Sequence, residues 1–229
     1  MNYIKNYNLF ISESKILDPY LIKESQDTKN NIKEIVKIVK ETGLKDSNAI
    51  MGLLSVIGKE SGFTIVRETG KNLKNDENWL RKKFPALKDY AGDIITLKNN
   101  REKDFYNLVY GPDTKAGKAL GNTEDGDGYK YRGGGYTQLT GKKYYNYMGL
   151  NDPKEIETPQ GAAKALKNSI KSYVGNNPQS LKFITPDEGV KYFVNKVRGG
   201  SSTFEAEYKK ASKTLNTFFK SGNKFSLPV

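Results

Sequence analysis

Among 229 residues there is no cysteine and no histidine. The first absence removes disulfides, thiol nucleophiles and thiolate metal sites. The second removes the imidazole base, and with it a serine–histidine–aspartate relay and histidine-bound zinc. Proton traffic in an enzyme of this composition must run through carboxylates, tyrosine or lysine. Long apolar runs are missing as well, since none approaches the ~18 residues that a membrane-spanning helix needs. The opening "MNYIKNYNLFISESKILDPY" has no uninterrupted apolar stretch and no small-residue cleavage site, so no secretory signal is expected. The expectation is a soluble protein made in the cytoplasm, without stable membrane insertion.

What is present is base and tyrosine. Lysine and arginine number 38 against 26 acids, a net charge of +12. A field of that sign draws polyanions: nucleic acid, anionic lipid, or an acidic bacterial wall. The excess is scattered as single lysines and KK pairs, so nucleic-acid binding through a charge cluster is not expected. Tyrosine outnumbers phenylalanine 15 to 10, with a single Trp. Its flat face and polar tip suit sugar stacking as well as a core.

Apolar spacing is helical along most of the chain. Ile32, Ile35, Val36 and Val39 share one face and run into Gly43. Ile50, Leu53, Leu54 and Ile57 share another, between a cap at Asp46 or Ser47 and a stop at Gly62. Further helices are expected over 77–90 (broken at Pro85), 99–111, 158–175, 185–200 and 203–222. Segments 62–76 and 111–145 read as irregular, with a short hairpin at "YKYRGGGYTQL". The fold class is therefore mainly α with a small β-hairpin or irregular Gly-rich segment. One domain is expected over 31–222, after an arm or connector (1–30) and before a tail (223–229).

The glycine-rich stretch "GNTEDGDGYKYRGGGYTQLTG" (121–141) fails as a phosphate loop. Gly135 stands one residue too far from Gly141–Lys142, and Lys143 replaces the required serine or threonine. It fails as a calcium loop from Asp125 too, because Tyr129, Lys130 and Tyr136 occupy ligand and turn positions. No metal and no cofactor are expected.

Two carboxylates stand out in "GKESGFTIVRETG". Glu60 falls at the C-terminal end of an apolar helix, where the helix dipole disfavours an anion. If Phe63 and the helix face shield it, desolvation favours the protonated form, the state of a general acid. Glu68 reads as lying in a more open segment beside Arg67, whose cation favours the charged form of a general base. One protonated and one charged carboxyl group cleave glycosidic bonds.

From about residue 50 to 200 the chain resembles the family 19 glycoside hydrolases, in particular the phage endolysins that share the plant-chitinase, lysozyme-like fold. The resemblance lies in "SVIGKESGF", "RETGKNLKNDENWLRKKFPAL", "NLVYG" and "LGNTEDGDGYKYRGGGYTQLTG", in that order. It implies that Glu60 is the general acid and Glu68 the second catalytic carboxylate. Gln138 and Thr140 would line the cleft, with the Thr140 hydroxyl holding the attacking water. Tyr131 and Arg132 would shape the loop, Tyr136 would offer a stacking face beside Tyr129 and Tyr131, and Tyr144, Asn195 and Arg198 would touch sugar near Gly199–Gly200. The chain departs from the family at Lys59 (usually His), Gly134 (Arg), Tyr144 (Asn) and Arg198 (Asn). An inward-pointing Lys59 would act against protonation of Glu60.

The resulting expectation is a peptidoglycan hydrolase, a glycosidase cleaving β-1,4 bonds of the cell wall by inversion. Its carboxyl groups would stand about 6.5–9.5 Å apart. It would act as a monomer on wall polysaccharide, after holin release or as a virion component held by the N-terminal arm. The alternatives are a non-catalytic virion or wall-binding protein that keeps the fold, and a chitinase.

Overall fold

The computed structural model describes residues 26–198 and 204–220, which are mainly helical with a single two-stranded sheet. The expected tail and most of the expected arm lie outside these residues. The first helix, α1 (Gln26–Glu41), starts inside the stretch read as a connector. Within the span expected as one domain, the described residues form two compact units, one from 26–64 with the chain from 163 onward, the other from 65–162.

The first unit is built around α2 (Ser47–Ser61). Asp46 caps it by accepting the Ala49 N–H at 2.8 Å, and Gly62 ends it in the left-handed conformation, φ 60°. Both boundaries follow the chemistry of their residues, a short acid for free N–H groups and a glycine where φ is positive. Spacing predicts one apolar face, but α2 is buried on every side from Gly52 to Ser61. The reason is its packing against α10 (Pro186–Arg198) and α11 (Phe204–Leu215). Gly52 makes the closest approach possible, since a Cβ there would stand 2.2 Å from the Gly189 carbonyl carbon. Burial on all sides carries Lys59 and Glu60 into the interior along with the leucines. After Gly62 the chain turns sharply at Phe63, a non-glycine residue at φ 63°. Its ring is fully buried over Gly58 and meets Phe218 edge-on at 5.3 Å. The backbone cost is about 1–2 kcal/mol. Burying the ring offsets it by roughly 2–3 kcal/mol.

In the second unit, β1 (Val66–Arg67) pairs antiparallel with β2 (Gly134–Gly135), Val66 opposite Gly135 and Arg67 opposite Gly134. Gly134 and Leu139 exchange both backbone hydrogen bonds, at 3.0 and 2.8 Å, and close the expected hairpin. Around this lie α3 (Glu77–Lys83), α4 (Ile94–Asn100) and α5 (Glu102–Tyr110). The helix expected over 99–111 corresponds to the second of two, α5, and the first, α4, was not expected. Asp93 caps the first through the Ile95 and Thr96 N–H groups, and the chain leaves helical geometry at Arg101. Phe84, Phe105 and Tyr106 form edge-to-face pairs 5.5 and 5.2 Å apart, and Tyr110 stacks on Tyr106. The segment read as irregular holds three short helices, α6 (Lys115–Leu120), α7 (Asp127–Lys130) and α8 (Lys142–Tyr147). Side chains at the starts of the first two order the turns there. Thr114 accepts the Gly117 N–H, and Asp127 gathers the Thr123 and Glu124 N–H groups at 3.0 Å each. The remaining long helix of the chain is α9 (Pro159–Val174).

Candidate active site

Glu68 follows β1 directly, so the sheet determines its place. Its N–H donates to Gly133 O at 2.7 Å, and Gly133 N–H returns a hydrogen bond to Glu68 Oε2 at 3.1 Å. Tyr110 Oη reaches Oε1 at a long 3.5 Å. Arg132 Nε donates to the Glu68 carbonyl at 2.8 Å. The segment is not open, contrary to expectation: Glu68 is only 3% exposed. Burial dominates its titration and lifts its pKa to about 7, against the Gly133 hydrogen bond and the cations of Lys83, Arg132 and Arg67. Arg67 adjoins it in sequence but turns its guanidinium to the Tyr145 hydroxyl and Glu157. With the peptide pairing and the arginine engaged elsewhere, the carboxyl group sits in low dielectric with no cation bonded to it.

Gly133 is the hinge of this arrangement. A Cβ there would lie 2.8 Å from Gln138 Oε1 and 3.1 Å from Glu68 Oε2, so the glycine leaves room for these two side chains to converge on its backbone. Gln138 is itself strained, at φ 52° and 6% exposed. A positive φ at glutamine costs about 1–2 kcal/mol, and such positions cluster at functional sites. Thr140 Oγ1 donates to Gln138 O at 3.0 Å from a buried position. Glu68, Gly133, Gln138 and Tyr110 therefore make one buried polar group in the second unit. Chemically it offers a carboxyl group that titrates near neutrality, an amide, and a nearby phenol whose own pKa is raised well above normal, by burial first and then by Glu68's charge.

Other expected contacts are differently employed. Arg132 is buried, with one guanidinium nitrogen on Tyr129 O and its centre 3.8 Å from the centroid of the Tyr129 ring. It braces the loop from within, on the Tyr129 backbone and ring. Tyr136 and Tyr144 are also buried, so neither presents an open stacking face. Tyr131 stays half-exposed, edge-on to Tyr145 at 5.3 Å. At Gly134 the space a side chain would fill is bounded by Arg67 Nη1, the Tyr145 hydroxyl and Ile156, all about 3 Å from the Cβ position. Asn195 is exposed on α10 in the first unit, while the Arg198 side chain and Gly199–Gly200 lie outside the described residues.

Glu60 belongs to the first unit, in the last turn of α2, and is 3% exposed. The neighbouring Lys59 is inward-pointing, and its ammonium bonds both Glu60 Oε1 and the Glu207 carboxylate on α11. Tyr173 on α9 stands within this group's electrostatic reach. Burial first, and then the Glu60 charge, push its pKa up. Sequence reasoning raised an inward Lys59 as a conditional, but it did not find Glu207. A buried acid in an amphipathic helix, three residues after Phe204, was the available signal.

Residues that sequence reasoning left out of the site are Tyr110 and Gly133. Each lies in a stretch it had singled out, Tyr110 in "NLVYG" and Gly133 in the glycine-rich segment. No family model matches the chain, and no curated protein and no solved structure matches it. Among the described residues, no group of three or more acids, histidines or cysteines is placed to hold a metal, and no helix is long and apolar enough to cross a membrane.

Proposed function

We propose that the chain is a lysozyme-like glycosidase that hydrolyses the sugar backbone of peptidoglycan, with Glu68 as the group that exchanges the proton. The observation that carries this reading is the Glu68 carboxyl group, buried on Gly133 beside Gln138 and titrating at about 7. A carboxyl group that keeps its proton near neutral pH can protonate a glycosidic oxygen as the bond breaks. This exchanges the roles expected from sequence, since the proton is held on Glu68. Glu60 enters as the second carboxylate on the motif resemblance alone. The net charge of +12 favours an anionic wall over neutral chitin, through attraction that salt weakens.

The test is zymography on purified sacculi, with mass analysis of the released muropeptides. Wild type should clear the wall and leave new reducing ends, and Glu68→Gln should not. A folded wild type that releases no sugar ends would overturn the reading. Glu60→Gln decides separately whether Glu60 takes part. A second reading, a wall-binding protein without turnover, draws on the Lys59–Glu60–Glu207 pairing, which ties up a carboxylate the reaction would need. It is the outcome in which the protein sediments with sacculi and leaves them intact.

A further inference from the structure

Two charged residues outside the candidate site act on the two peptide groups that flank one residue close to Glu68, Gly70. Lys98, on α4, is fully buried, a position lysine reaches only when its ammonium is satisfied. Its Nζ donates to Gly70 O at 2.9 Å and to Asn99 Oδ1 at 2.7 Å. The other end of the same residue is held from α5, where Glu102 Oε2 accepts the Gly70 N–H at 3.1 Å. Gly70 itself has no room for a side chain, because a Cβ would fall 1.7 Å from Lys98 O. The second oxygen of Glu102 lies 3.6 Å from Arg132 Nε, the atom that donates to the Glu68 carbonyl. The Tyr129 ring lies against that guanidinium and limits where it can go.

Every link of this chain is a charged side chain on backbone, or a charge on a charge, and all of it is buried or half-buried. Such groups are costly to bury and are kept where they hold a geometry. On one side of Glu68 the backbone is fastened by Arg132, and two residues further on by Lys98 and Glu102. We propose that Lys98 and Glu102 are positioning residues, which grip the backbone on both sides of Gly70 and, through Arg132, hold Glu68 so that its carboxyl group stays seated on Gly133 beside Gln138. This rests on the proton-exchanging role given to Glu68.

Glu102 also sets the electrostatics. The groups facing Glu68 are Arg67, Lys83 and Arg132 as cations, with Tyr106 and Tyr110 as phenols. Glu102 offsets the cation of Arg132. Without that negative charge, Arg132 acts more strongly on Glu68 and favours its charged form.

The experiment is a side-chain carboxyl NMR titration of the full chain, with the Glu68 signal assigned by its loss in Glu68→Gln, alongside wall-hydrolysis kinetics. In Glu102→Gln the amide oxygen can still accept the Gly70 N–H, so the fold should persist. The Glu68 midpoint should fall by at least about half a pH unit. The kcat should fall by about tenfold or more at little-changed KM, and Lys98→Met should lower kcat in the same way. An unmoved Glu68 midpoint in folded Glu102→Gln overturns the proposal, and so does full kcat in folded Lys98→Met. If Lys98→Met does not fold, Glu102→Gln decides alone. The two readings separate cleanly. A shifted midpoint in a protein that never cuts the wall keeps the grip and discards the glycosidase, and a wall-cutting protein with an unmoved midpoint does the reverse.

Discussion

Glu60 and Glu68 are equally buried, each 3% exposed, and are held by opposite means. In the first unit the neighbouring ammonium of Lys59 bonds Glu60 and also Glu207, so one cation serves two acids. In the second, Glu68 has a peptide N–H and a distant phenol, and its pKa is lifted to about 7. Burying a carboxylate costs several kcal/mol unless a cation or a proton comes with it. One unit supplies the cation, and the other leaves the carboxyl group to take the proton. The lesson is that burial alone does not make a carboxyl group hold its proton near neutral pH; burial without a bonded cation favours it. Lys59 and Arg67 make the same point. Each is the basic neighbour of a candidate acid in sequence, yet Lys59 turns onto its glutamate and Arg67 turns away to Tyr145.

The widest difference should appear in activity. Glu68→Gln should cut wall hydrolysis by about 10²–10⁴-fold with an unchanged circular-dichroism spectrum; sacculus clearing within tenfold of wild type would show that Glu68 moves no proton. In the first unit the corresponding break is in stability. Lys59→Met leaves Glu60 and Glu207 buried without their ammonium and should cost about 3–5 kcal/mol in urea denaturation. A loss below about 1 kcal/mol would mean the pairing does not hold α11 to α2.

A pH series sharpens the contrast. The pKa of Glu68 is raised from 4.5 to about 7, so between those values the folded chain binds more protons than the unfolded one. Its contribution to stability is complete below about pH 4.5 and is lost as pH rises through about 7. The loss amounts to about 3 kcal/mol. The slope of stability against pH in that window should shrink in Glu68→Gln, and an identical slope would place the titration elsewhere. Activity of the wild type should fall above about pH 7 for the same reason. The smallest effect is expected from Gly133→Ala. Its Cβ would press on Gln138 Oε1 and Glu68 Oε2, the ends of two side chains that can shift. The stability cost should be about 1–2 kcal/mol. The loss of activity should be larger in proportion than the loss of stability, and the reverse order would make Gly133 a packing residue only.

Much of the fold was legible where the information is local. A cap at Asp46 or Ser47 and a stop at Gly62 bracketed α2, because capping needs only a side chain and its own first turn, and the cap is Asp46. The helix α4 was missed although Asp93 is a good cap, since the helical reading of this stretch began only at 99. The short helices of 111–145 were hidden by glycines that serve as their ends, such as Gly121 at φ 72°. In the site, the glycine-rich segment and both glutamates were visible. The surroundings of Glu68 were not, because Gly133 is paired with it from 65 positions away.

The sequence by itself determined the longer helices and the bounds of α2, the absence of thiol and imidazole chemistry, the basic field, and two glutamates as candidates for acid–base work. Only the tertiary structure decided which of them holds a cation and which a proton. Helix signals act over one turn of chain, whereas the desolvation and hydrogen bonding that govern a carboxyl group come from whatever residues folding brings to it.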